Sequence, residues 1–182
     1  MVNNMNIKTL KIIGTIIACI LPFPLHFLYD AFPNFITSIF LPVNESIWEH
    51  MKLLFGSIIL SGIIQKIIAR IKKEDINNIC FSNFIAALIS IPIFLIVFLP
   101  VYYSIGENFI VTIIIMFISI MISEFVSYKL MNEKDYKYEN ITIFFVFLVY
   151  IIFTILTYYP IKNDLFIDKE TKTYGIAKKE SK

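Results

Sequence analysis

Glu45, Glu49, His50 and Lys52 are crowded into the stretch 41–52, which reads Leu-Pro-Val-Asn-Glu-Ser-Ile-Trp-Glu-His-Met-Lys. On a helix Glu45 and Glu49 stack at i,i+4, and two carboxylates so placed repel each other unless a proton, a cation or Lys52 offsets them. His50 is turned about 100° from Glu49, so the two cannot point along one line. The chain's other histidine, His26, lies one helical turn before Asp30. Imidazole nitrogens and carboxylate oxygens ligate zinc and other first-row metals, and the same groups relay protons. No His-Glu-x-x-His spacing is present, so any shared chemistry depends on what the fold brings together.

The candidate pocket is His26, Asp30, Asn44, Glu45, Trp48, Glu49, His50 and Lys52, and within it His26, Glu45, Glu49 and His50 are candidate ligands for a divalent metal such as zinc. A plainer reading competes. Glu45 and Glu49 would then answer a helix dipole, Trp48 would anchor the chain at a membrane interface and Lys52 would neutralise Glu49. The histidines would hydrogen-bond neighbouring helices or lipid headgroups.

These residues need elements to hold them, and the composition says which. Of the 182 residues 58% are hydrophobic and 16% charged, well away from soluble globular domains, which are roughly half apolar and a quarter charged. Several apolar runs exceed the roughly 18 residues that cross a bilayer as a helix, whereas a barrel would show shorter alternating segments. The expected fold is all-α, a polytopic membrane bundle of about five transmembrane helices near 8–29, 44–72, 79–104, 109–130 and 140–159. Segment 31–43, too short to span and too apolar for water, reads as interfacial or re-entrant between the first two. Asn44 is the expected N-cap of the second span. The domain reading is a transmembrane part over 1–160 and a polar tail over 161–182. A lipoprotein-type leader ending at Cys19 competes for the first run, but apolar sequence continues past it. Cys19 and Cys80 form neither a disulfide framework nor a zinc pattern.

Lys8, Lys11, Lys66, Arg70, Lys72, Lys73, Lys129, Lys134 and Lys137 fall at one end of these spans, and the loops at the other end carry no lysine or arginine. The positive-inside rule then places the N-terminus in the cytoplasm and the tail outside the cytoplasmic membrane of a bacterium. A net charge of +2, placed by topology, gives no reason to expect a nucleic-acid partner. The expected partners are the lipid bilayer and a small ligand or ion, with a second copy or another membrane protein left open. Glu124 falls in the inner half of the fourth span, where a bridge to Lys66 or Arg70 and a proton pathway are the two readings.

The stretch 42–52, taken with the tail pattern Leu165-Phe166-x-Asp168-x-x-Thr171-x-Thr173-Tyr174-Gly175-Ile176, resembles an uncharacterised family of small multipass membrane proteins from low-GC Gram-positive bacteria. The resemblance implies a polytopic membrane fold and no mechanism. It pairs the two motifs, and the tail is expected to fold over the mouth of the pocket. The leading function is binding, sensing or passage of a small ligand or ion at an outward pocket on the first two spans. A membrane-embedded, metal-dependent hydrolase or transferase competes with it, as does an accessory subunit with no site.

Overall fold

Pro22 and Pro24 predict a kink or break in the last turns of the first run, and the break is there. The run expected to cross at 8–29 is two helices, α1 (Ile7–Ile20) and α2 (Pro22–Ala31), bent by 40° at the break. Pro22 and Pro24 have no N–H to give Ala18 and Ile20 four residues back, so the ladder loses two bonds in one turn and the chain swings there. The computed structural model describes residues 6–106 and 108–176. Its remaining helices are α3 (Phe35–Phe40), α4 (Ile47–Ile71), α5 (Ile79–Ile105), α6 (Phe109–Met131) and α7 (Glu139–Tyr158). Four of them, α4 to α7, are long and apolar enough to cross a membrane, and the bent pair makes a fifth if it counts as one span. The fold is an all-helical bundle; among the described residues the sole β pairing is an isolated bridge between Ile167 and Tyr174.

The interfacial segment expected between the first two spans contains α3, which starts with a reciprocal cap. The Asn34 side chain accepts from Thr37 N, and the Thr37 hydroxyl accepts from Asn34 N. Helix α4 begins later than expected. Its N-cap is Ser46, whose hydroxyl accepts from Glu49 N at 3.3 Å, and Asn44 instead turns the loop by accepting from Ser46 N at 2.9 Å. Both residues are good caps. The two-residue delay leaves Glu45 in the loop ahead of the helix.

Helix α4 is the axis of the bundle, packed by α1, α2, α3, α5 and α6. Its Met51, Leu54, Phe55 and Ile58 share one buried cluster with Phe84 and Phe94 of α5 and Tyr150 and Phe153 of α7. Further along, Ser57, Ser61 and Gly62 let neighbours approach closely, and Gln65 fills the space left by Gly14 of α1. The Ser61 hydroxyl donates to Gly14 O at 2.7 Å, and a Cβ on Gly62 would sit 2.7 Å from Asn83 Cβ. By contrast, Phe144, Phe147 and Ile151 of α7 lie half or more exposed, as do Phe109, Ile110 and Met121 of α6. Apolar faces of that extent suit a lipid bilayer.

The lysine-rich end is stitched by Leu10, Ala69, Ile79 and Met131, which meet where α1 and α5 begin and α4 and α6 end. At that end Asn78 donates to Leu130 O, Glu133 O and Lys134 O and accepts from Tyr136 N. At the opposite end the tail folds back onto the start of α4. Trp48 N donates to Leu165 O at 2.8 Å, the Trp48 and Phe166 rings stack at 4.8 Å, and Asn44 Nδ2 donates to Gly175 O at 2.8 Å. Gly175 has φ +66°, and a Cβ there would lie 2.7 Å from Thr157 O. Glycine is what this close approach requires. The tail residues 177–182 lie outside the described residues.

Candidate functional site

Three elements meet at the end opposite the cluster of Leu10, Ala69, Ile79 and Met131. His26 comes from α2, Glu45 from the loop before α4, and His50 from the first turn of α4. His26 Nε2 lies 3.2 Å from Glu45 Oε2, and His50 Nε2 lies 3.7 Å from the same oxygen. The two imidazole rings are 5.7 Å apart. One ligand atom from each residue falls within 4.8 Å of the others, and among the described residues this is the group of histidine, cysteine and acidic side chains so placed.

The second nitrogen of His50 decides what this group can hold. His50 Nδ1 is 2.9 Å from Ser46 O, and a carbonyl oxygen only accepts, so Nδ1 carries the hydrogen. In neutral His50 the Nε2 lone pair then faces a carboxylate oxygen. Two acceptors that face each other call for a proton or a cation between them. The backbone carbonyl behind the ring is also the partner that commonly fixes a metal-binding imidazole. Two neutral imidazoles and one carboxylate form a three-ligand set of the kind that holds zinc with a position left open. His26, by its hydrogen bond to Glu45, holds that carboxyl below the ordinary carboxylate range; burial opposes this, and the charges of His26 and His50 add to it.

A cavity of about 420 Å³ opens on the trio. His26, Glu45, His50, Thr112 and Glu170 line its polar part, and Phe23, Phe27, Phe109, Ile113 and Met116 line much of the rest. Thr112 and Glu170 carry no signal in the sequence, because each reaches the site only through the packing of α6 and the return of the tail. Asp30 adds negative charge near His26 but is outside the ligand trio.

The other expected site residues sit elsewhere. Glu49 points into the bundle, where its Oε2 is 2.6 Å from Lys52 Nζ and accepts from Val43 N at 3.2 Å. Its Oε1 accepts from the Thr157 hydroxyl at 2.6 Å. Lys52 Nζ also donates to Ser38 O and to Thr157 Oγ1. Glu49 is 1% and Lys52 0% exposed, so this is a closed, saturated ion pair joining α3, α4 and α7. Trp48 lies between Phe153, tilted against it at 53°, and Phe166, stacked on it, under the tail. Glu124 pairs with Lys11, whose ammonium also donates to Asn83 Oδ1 and Ser127 Oγ; it does not bridge to Lys66 or Arg70, and Lys66 pairs with Glu139. Lys11 therefore belongs to the bundle interior and not to the charged flank. A charge within a span needs a partner, and that was the available signal; which face of α1 it occupied was not.

The chain belongs to the family of unknown function DUF6512, whose model matches residues 1–176. No curated protein and no solved structure matches it.

Proposed function

We propose that the protein is a multipass protein of the bacterial cytoplasmic membrane that binds a divalent transition-metal ion, zinc by preference of ligand type, through His26, Glu45 and His50 on its outer side. The observation that carries this reading is His50. Its Nδ1 is committed to Ser46 O, and its Nε2 lies 3.7 Å from Glu45 Oε2, the oxygen that His26 Nε2 reaches at 3.2 Å, so one cation shared by the three would satisfy both rings and the carboxylate. Orientation rests on the positive-inside rule, now carried by Lys8, Lys66, Arg70, Lys72, Lys73 and the lysines after α6, with residues 1–160 as the membrane part and 161–182 as an external tail. Zinc titration of the purified full-length protein tests it. One ion per chain should bind, and His26→Ala or His50→Ala should weaken binding by at least about tenfold. Equal zinc binding by the wild type and the His26→Ala/His50→Ala double variant would refute the assignment.

One observation favours metal-assisted hydrolysis as a second reading. The ligand set has three protein members, and the cavity lies on its free side with Glu170 on the wall. A bound ion would acidify a water there, and Glu170 would accept its proton.

A further inference from the structure

Resting on the metal reading above, we propose that the ligand admitted to the free side of the site is a phospholipid-like amphiphile, with its phosphate at the ion and one chain laid between α2 and α6. The cavity has two chemistries in one space. Its polar end is the trio, and its flanks are Phe23 and Phe27 of α2 against Phe109 and Ile113 of α6. The outer members of those flanks face away from the bundle, Phe27 at 64% and Phe109 at 72% exposed, so the apolar part opens sideways, where the bilayer would lie. Deeper, the two helices touch at Phe23 and Phe117, ring centroids 6.0 Å apart. A wholly polar solute would leave the aromatic flank uncovered, and a plain hydrocarbon would leave the ion without a ligand.

Charge selects the head. A divalent ion on two neutral imidazoles and the Glu45 carboxylate keeps one net positive charge, which suits a phosphate. Glu170 on the cavity wall and Asp30 near His26 oppose this, and Lys169, although it lines the adjoining gap with Glu45 and His50, is shared with Asp164 at 3.9 Å and the Tyr102 ring, so the ion itself must supply the attraction for the phosphate. Free phosphate satisfies the ion equally and gains nothing from the flank.

The experiment titrates zinc-loaded full-length protein in maltoside micelles with dihexanoyl phosphatidic acid and, separately, with inorganic phosphate. The lipid should bind at least about tenfold more tightly, because buried methylenes add to the shared phosphate contact. Ile113→Trp, which fills the groove, should abolish that advantage while zinc stoichiometry and phosphate binding stay as in the wild type, and Ile113→Val should keep it. If Ile113→Trp loses zinc and so misfolds, Phe27→Ala on the opposite flank takes its place and should narrow the gap. Equal affinities for lipid and phosphate, or an advantage unchanged by both groove variants, overturns the proposal and leaves the metal site standing. Absence of zinc from the wild type is read before any lipid is added, and removes both.

Discussion

Within the eight residues from Glu45 to Lys52, in α4 and the loop before it, the chain builds parts of two polar clusters of opposite character. Glu49 and Lys52 are sealed, with Lys52 Nζ donating to Ser38 O, Thr157 Oγ1 and Glu49, and Glu49 accepting from Lys52, Thr157 and Val43. Glu45, with His26 and His50, is open, with side chains 16% to 34% exposed and two acceptors facing each other beside a cavity. A saturated pair has nothing left to offer a ligand and serves to fix α3, α4 and α7. An unsaturated one has an unmet need that a ligand can fill. Proximity in sequence says nothing about which is which; the turn at Ser46 decides it, by sending Glu49 inward and leaving Glu45 outside the helix.

The comparison can be broken most forcefully at Lys52. Lys52→Met leaves the buried Glu49 carboxylate without its cation, and uncompensated buried charges cost about 3–5 kcal/mol. Thermal unfolding in detergent should show that loss, whereas His50→Ala, at the open site, should cost less than about 1 kcal/mol. Similar losses for both would erase the distinction. The Glu49→Leu/Lys52→Met double variant sharpens it, since replacing both partners by apolar groups of like volume should recover most of the stability.

Next in size is the gap in zinc affinity between wild type and His50→Ala, at least about tenfold or 1.4 kcal/mol. Its pH dependence has a definite sign. Imidazoles ligate metal only when neutral, so affinity falls as the pH is lowered. The hydrogen bond from His26 holds Glu45 below the ordinary carboxylate range, so its protonation is not what starts that fall. Zinc binding that survives acidification to the carboxylate range would contradict this.

A smaller effect is expected at Gly175. Gly175→Ala must keep a positive φ with a Cβ against Thr157 O, at a cost of about 1 kcal/mol, and limited proteolysis should cut the tail sooner than in the wild type. The smallest is the contribution of Glu45 to metal-free stability. Its folded pKa lies below the unfolded value of about 4.3, so its stabilisation is present above that value and is lost as the pH falls through the folded one. At such exposure the amount is a few tenths of a kcal/mol, and a metal-free melting curve should be flat in this respect above pH 5.

The helices were legible in the sequence because membrane spans announce themselves by length: α4 to α7 follow the apolar runs. The break at Leu21 was legible as two prolines, although not its angle. Counted at about 1.5 Å per residue from the segment that joins the first two spans, His26 and His50 come out at similar depth, and their rings lie 5.7 Å apart. Less could be read where two residues suited one role. Asn44 and Ser46 are both good N-caps, and the choice between them determines which glutamate faces inward. Thr157 and Ser38, which saturate Glu49 and Lys52, are a hydroxyl and a carbonyl with no pattern of their own. Lys11 looked like a flanking charge because nothing in one sequence tells which face of α1 meets α6.

X-ray absorption at the zinc edge of the loaded full-length protein addresses the central claim most directly. Two imidazoles and a carboxylate oxygen should appear at about 2.0–2.2 Å, with one imidazole lost in His50→Ala. A shell of sulfur, of water alone, or one unchanged by His50→Ala would contradict it.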